Sequence, residues 1–271
     1  MKCTSQVERK VTLISHTQVA EKFYDGFDKY GHAYEGNDYD DLGITDAQAL
    51  ALTAIRTCYS PGKPSEIVAK EGVRYFKKKA TDGGEGTDAD RLIRMIVSSG
   101  HTSTLEGITF NFAVEGVSRA LLAQLTRHRV GFSFSVQSQR YVKFGSNDKS
   151  GGFDYVVPDT VTEEKYANGL NGVPDYADAI FERAMEWAQI SYDLLRKAGV
   201  PAEDARAVLP QAAACNLVLS VNLRALLDFY GKRRKGNGAQ AEIAGLCEDL
   251  RKAVEEVEPW TAPFFEGAGA H

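Results

Sequence analysis

Residues 127–144 read RHRVGFSFSVQSQRYVKF. Arg127, His128 and Arg129 set three donor side chains in a row at the end of a helical run. An extended stretch follows, in which Ser133, Ser135, Gln137, Gln139 and Tyr141 alternate with Phe134, Val136, Ser138 and Arg140. A strand through this stretch puts Ser138 and Arg140 on one face and Gln137 and Gln139 on the other. Guanidinium forks suit phosphate oxygens, and serine hydroxyls and glutamine amides suit the edge of a heterocycle. The segment therefore reads as chemistry for a phosphorylated heterocyclic ligand. Neither GxGxxG nor GxxxxGK[ST] occurs, so dinucleotide-fold and P-loop modes do not explain it.

The charges around the segment point the same way. The 271-residue chain carries 32 Lys+Arg against 37 Asp+Glu, a formal net charge of −5. Yet no acid occurs from Gly116 to Asn147, where the chain average would put about four. A second acid-free window, Ala205 to Leu227, carries Arg206 and Arg224, and Lys232, Arg233, Arg234 and Lys235 follow it. An acidic chain that excludes acids from two segments is set up to bind anions there. A long polyanion would ask for net basicity, so a nucleic-acid module is disfavoured even with Phe132, Phe134, Tyr141 and Phe144 interleaved. Arg119 and Lys143 read as surface charges.

Several classes fall away. No stretch has the roughly 18 apolar residues of a membrane helix, and the N-terminus mixes charges into its apolar run. Cys3, Cys58, Cys215 and Cys247 form no CxxC pair and read as reduced, buried, small apolar residues of a cytoplasmic protein. There is no GxSxG and no HExxH, and five histidines make a metal site a poor expectation.

Patterning predicts a strand over 9–16, helices opening at Thr45 and Thr87, and a strand over 108–114. It predicts helices over 117–126, 175–198 with Asp175 as N-cap, 201–208, 223–230 and 239–257, and a strand over 217–221. Their apolar stripes read as core. Residues 24–43 read as a loop, as do 145–152. Residues 60–90 also read as loop, with one helical stretch around 66–79. The expectation is one α+β domain over 1–271.

At this point the residues resemble the flavin-dependent thymidylate synthases. RHRVGFSFSVQSQRY is similar to that family's arginine–histidine–arginine signature with one residue inserted near Phe132. HTSTLEG (101–107) resembles its HxxxxEH segment with Gly107 for the second histidine. ARAVLP (205–210), SVNLRALLDF (220–229) and NGAQAEI (237–243) resemble three further family segments. The resemblance implies a central, mostly antiparallel sheet flanked by helices, with insertions at about 20–43, 60–90 and 145–152. It implies FAD as cofactor, NADPH and methylenetetrahydrofolate as co-substrates, methylation of dUMP to dTMP, and a homotetramer with active sites at subunit junctions. It implies dUMP contacts from Gln124, Arg127, Gln137, Ser138, Gln139, Arg140, Arg206 and Arg234. FAD contacts would come from Ser103, Arg127, His128, Arg129, Val136, Asn222, Arg224 and Asp228, and His101 would lie on the folate and NADPH side. The late catalytic arginine maps to Arg234 or Arg233, with Ser138 as a further catalytic candidate. A non-catalytic flavin- or nucleotide-binding relative is the alternative reading.

Overall fold

A computed structural model describes residues 4–23, 43–169 and 173–267. The strands and helices, in chain order, are β1 (Ser5–Gln6), β2 (Lys10–His16), α1 (Asp46–Tyr59), α2 (Ile67–Phe76), α3 (Asp88–Ser98), β3 (Thr109–Ser118), α4 (Arg119–Leu125), β4 (Phe132–Val136), β5 (Asp154–Tyr155), β6 (Tyr166–Asn168), β7 (Pro174–Tyr176), α5 (Ala177–Lys197), α6 (Ala202–Ala205), β8 (Ala214–Asn222), α7 (Leu223–Arg233), α8 (Ala241–Val257) and α9 (Ala262–Gly267). The loop expected over 24–43 lies, except for Gly43, outside the described residues.

Four strands make the central sheet, in the order β2-β3-β8-β4, all antiparallel. Its two faces differ because alternation carries through every pairing. On one face stand the rows Leu13–Phe112–Leu219–Phe134 and Val11–Val114–Leu217–Val136, packed against helices that contribute Leu52, Ile93, Phe229 and Leu246 to a single apolar cluster. The other face carries Ser15–Asn111–Ser220–Ser133 and Thr12–Ala113–Val218–Ser135, exposed or half-buried throughout. Ser220 Oγ bonds Asn111 Oδ1, and Asn111 Nδ2 donates to Ser15 Oγ at 3.0 Å. Two-stranded pairings β1–β5 and β6–β7 flank this sheet.

The helix starts follow the expected chemistry. Thr45 and Thr87 each close a capping box, with Gln48 and Asp90 as the returning partners. The strand predicted over 108–114 runs on to Ser118, so α4 starts two residues later than expected.

The structure corrects three readings. Asp175 is not the cap of α5; it lies in β7 and pairs with Arg183 at 2.6 Å, and Tyr176 precedes the helix without a side-chain cap. The apolar stripe of α5 is only partly core. Met185 and Tyr192 are buried in a second cluster with Phe144 and Phe153, while Ile180, Trp187, Ile190 and Leu194 form an exposed seam, Trp187 at 66%. Cys58 is exposed, whereas Cys215 and Cys247 are buried as expected, and Cys3 lies outside the described residues.

Glu258, just after α8, is fully buried. One carboxylate oxygen accepts from Thr45 Oγ1 and from Trp260 Nε1, at 2.5 and 2.6 Å. The other lies 3.5 Å from His16 Nδ1. Burial raises its pKa above the ordinary 4.5, outweighing those donors. A raised folded pKa makes the acid form the favoured one in the fold. Its stability contribution is therefore full below about pH 4.5 and is lost as pH rises through the higher folded value. Glu258→Gln keeps an acceptor for Thr45 and Trp260 without the charge. Denaturation of both proteins between pH 4 and 9 should show a flatter alkaline side for the variant. Parallel pH profiles would refute this account of the site.

Candidate functional site

The signature segment is held by the elements on either side of it. Ser118 caps α4, accepting from Leu121 N at 3.0 Å, and is itself gripped by the Glu242 carboxylate through its N–H and hydroxyl. The helix buries Leu121 and Leu125, leaving Gln124 half-exposed against Gln240. The chain then turns. Arg127 and Arg129 point out, Val130 is 89% exposed, and His128 folds inward. The imidazole stands edge-on to Phe229 at 4.9 Å and near Phe132, and its Nε2 accepts from Arg233 Nε at 3.1 Å. Burial, and then the Arg233 charge, push the His128 pKa below its ordinary value. The ring is neutral at pH 7 and stays an acceptor.

Gly131 makes this turn possible. Its φ is +72°, and a Cβ there would sit 2.6 Å from Ala225 Cβ and 2.8 Å from Asn222 Nδ2. Asn222 is the N-cap of α7, accepting from Ala225 N at 2.8 Å, and its own N–H donates to Gly131 O at 3.1 Å. Gly131→Val would meet both the disfavoured dihedral and the clash. Chemical denaturation should show a loss of about 3 kcal/mol or more, with weaker flavin retention. A change under about 0.5 kcal/mol would mean that the turn repacks freely. The ladder of β4 on β8 is unbroken from Phe132 to Val136, so the residue extra to the family signature is not a bulge in this strand.

Beside the α7 N-terminus, Arg224 pairs with Glu106, which ends the turn Thr102–Leu105 carrying exposed Ser103. His101 Nδ1 and the Tyr59 hydroxyl are 2.8 Å apart. Further along α7, Asp228 pairs with Lys232 at 2.7 Å. His101, Ser103, His128, Asn222, Arg224 and Arg233 thus converge around α7 and the start of β4.

The second group sits at the other end of β4. Val136 closes the strand against the core, and Gln137 N donates to Asn216 O at 2.8 Å. Ser138 and Arg140 do not share a strand face as expected: the strand ends at Val136, and Ser138–Val142 is a turn closed by Val142 N to Ser138 O at 2.9 Å. β8 runs on to Ala214 paired with β3 alone, so β4 leaves the sheet although the alternation in sequence continues. Ser138 Oγ accepts from Arg140 N at 3.2 Å. Arg140 Nε donates to the Glu203 carboxylate at 2.8 Å, and Arg206 Nε to the Glu203 carbonyl at 2.9 Å. The structure brings Arg140 and Arg206 to a common partner in Glu203, which lies just outside the second acid-free window, where the charge pattern gives no sign of it. Gln139 is half-buried beside them.

From Gly131 to Gln137 is six residues of extended chain, so the two groups stand about 20 Å apart. Among the described residues no hydrogen bond or ion pair joins them.

Comparison with known proteins adds the following. Residues 42–260 match the family described as "Thymidylate synthase complementing protein". The chain is 36% identical over 224 residues to a flavin-dependent thymidylate synthase of Geobacter sulfurreducens, covering 83% of each. It is 38% identical over 230 residues to the one of Nitratidesulfovibrio vulgaris, covering 82% of each. Its fold is similar to that of a UMP/dUMP methylase, PolB, from Streptomyces cacaoi bound with 5-Br dUMP (TM-score 0.63, 21% identity, 98% of this chain and 97% of that one). It is also similar to Thymidylate Synthase X of Helicobacter pylori with FAD and dUMP (TM-score 0.59, 22% identity, 97% and 100%).

Proposed function

This chain belongs to the flavin-dependent thymidylate synthase family, and from that membership we propose how its own residues divide the work of making dTMP from dUMP. It is an FAD-dependent methyltransferase. Methylenetetrahydrofolate is the carbon donor and NADPH the reductant.

The observation that carries the reading of the substrate end is the meeting of Arg140 and Arg206 at Glu203. Two cations that share Glu203 as a partner fit a phosphate dianion, which replaces its carboxylate beside Arg140. An exposed ion pair of this kind holds by no more than about 1 kcal/mol, so the exchange is easy. Ser138 and Gln139 flank the nucleotide. Gln124 and Gln137 complete its surroundings, and Arg127 comes to it from a neighbouring copy of the chain.

The flavin end fits its cofactor on the charges left uncompensated there. Arg127 and Arg129 are exposed and have no ion-pair partner among the described residues. They suit a pyrophosphate, with Asn222 and Arg224 at the α7 N-terminus and Ser103 beside it. Asp228 lies further along α7 toward the adenosine part, and the main chain at Val136 of a neighbouring copy lines the flavin. When bound, reduced FAD supplies the hydride that completes the methyl group. The residues' task is to hold the rings and exclude water, and that of Arg234 or Arg233 is to stabilise charge at the uracil carbonyl edge. His101, fixed through Tyr59, faces the folate and NADPH.

Groups about 20 Å apart cannot act on one bond. This separation supports a homotetramer in which the flavin end of one copy meets the substrate end of another. The open sheet face and the exposed seam of α5 are surfaces such an assembly would cover. No helix among the described residues is long and apolar enough to cross a membrane, and the proposed site of action is the cytoplasm. The two buried thiols take no part: burial pushes Cys215 and Cys247 up, away from thiolate chemistry.

The purified protein should show flavin bands at roughly 370 and 450 nm, oxidise NADPH, and form dTMP once dUMP and methylenetetrahydrofolate are present. It should do so as four copies, and equally with Cys3, Cys58, Cys215 and Cys247 replaced by serine. Flavin binding without dTMP would refute the synthase reading, and full activity as a monomer would refute the shared site.

A further inference from the structure

Arg119, which sequence patterning assigns to the surface, is half-buried at the first position of α4. Its Nη2 donates to the carbonyl of Gln137 at 3.1 Å, and its Nε is buried with no partner among the described residues. Burying a guanidinium nitrogen unpaired opposes folding, so an arginine with only a solvation role would extend outward instead. The contact it makes lies where the substrate arm leaves the sheet. The β4–β8 pairing ends at Val136, and Gln137 adds one last bond through its N–H to Asn216. Beyond that point the Ser138–Val142 turn is bonded mainly to itself, through Ser138 O and Ser138 Oγ. Those bonds fix its shape and not its place. Its place is set at the far end by Val142 and the buried Phe144 in the second apolar cluster, and at the near end by the two backbone groups of Gln137, one held by β8 and the other by Arg119, with the exposed Arg140–Glu203 pair alongside.

Arg119 also reaches the second anion-binding arm. Its own N–H donates to Ala213 O, and the next residue's to Gln211 O, both at 3.1 Å. These carbonyls belong to the stretch that follows Arg206. One residue therefore bonds the arm carrying Arg140 with its side chain and the arm carrying Arg206 with its main chain. We propose that Arg119 is a positioning residue for the nucleotide: it sets the distance between Arg140 and Arg206 and so the width of the phosphate site, without touching substrate. The proposal rests on the nucleotide reading of that turn.

The test compares Arg119→Met and Arg119→Lys with the unaltered holoenzyme. Arg119→Met should raise the KM for dUMP about tenfold, with kcat within about twofold and FAD occupancy and melting temperature nearly unchanged. Arg119→Lys, which keeps a cationic donor for the Gln137 carbonyl, should recover most of the KM. Hydrogen exchange monitored by mass spectrometry gives a reading independent of the ligand. In Arg119→Met the amides of residues 137–142 should exchange about tenfold faster, with those of β3 unchanged. Faster exchange in 137–142 in a protein that does not bind dUMP would uphold the positioning role and refute the nucleotide reading. An unchanged KM together with unchanged exchange at 137–142 would overturn the proposal. So would a parallel fall in FAD occupancy, melting temperature and dUMP binding, the mark of a residue that supports the fold in general.

Discussion

Arg140→Ala should weaken dUMP binding by about thirty- to a hundredfold, the equivalent of roughly 2–3 kcal/mol for losing a charge-assisted contact, and leave FAD retention nearly intact. The expectation follows from where Arg140 stands. Its side chain is half-exposed in the turn beyond β4, paired with Glu203 and joined through that residue to Arg206. Among the described residues no hydrogen bond or ion pair ties it to the group around His128 and α7. Removing it deprives the phosphate of one of two cations and frees the Glu203 carboxylate to repel the ligand. Glu203→Gln in the same background should therefore recover part of the affinity. Isothermal titration with dUMP, with flavin absorbance read in parallel, checks both statements. Equal losses of dUMP and FAD would show that Arg140 is misassigned. The same variant tests the shared site. Mixed with Arg129→Ala, which injures the opposite end of β4, Arg140→Ala should regain dTMP formation if chains exchange within the oligomer, because some junctions then carry neither lesion. Two lesions within a self-sufficient chain would give no such recovery.

Much of the fold was legible because local chemistry and tertiary packing agree. Thr45 with Gln48 and Thr87 with Asp90 carry their capping boxes in the sequence, and the alternation of ITFNFAV is that of a strand with one buried face. What escaped depends on partners that a linear pattern cannot contain. The alternation of Ser, Gln and Arg runs on to Tyr141, yet β4 stops at Val136, and beyond it β8 continues to Ala214 paired with β3 alone. The stripe along α5 looks like core, but only the side bearing Met185 and Tyr192 is covered within the chain. Arg119 looks like any charged residue at a helix start, and only the fold reveals that Gln137's carbonyl lies within its reach. The site divides in the same way. Its residue types were readable from the missing acids and the signature, whereas Glu203 and the separation of the two ends of β4 exist only in three dimensions.

That separation also bears on the choice between Arg233 and Arg234, which the sequence leaves open. Arg233 is committed: its Nε donates to His128 Nε2, in a half-buried setting beside Phe229. Arg234 uses its backbone to end α7, with its N–H on Tyr230 O at 2.9 Å and its carbonyl accepting from Asn237 N at 3.2 Å. Its side chain has no partner among the described residues. A cation at the last turn of a helix sits well with the dipole, and an unpartnered guanidinium can meet charge that develops on a substrate carbonyl. Arg234→Ala should thus lower kcat by about 10²–10³, the usual loss for one preorganised donor to developing charge, with dUMP and FAD still bound. Arg233→Ala should instead loosen FAD and, at saturating FAD, keep kcat within about tenfold. The two should also separate by pH. His128 accepts from Arg233 only while neutral, and its pKa is depressed. Its contribution is therefore present above that value and lost as pH falls through it. Flavin retention should drop on acidification in the unaltered protein and in Arg234→Ala. In Arg233→Ala it should be weak and nearly independent of pH. Loss of chemistry in flavin-loaded Arg233→Ala, with Arg234→Ala active, would exchange the two roles.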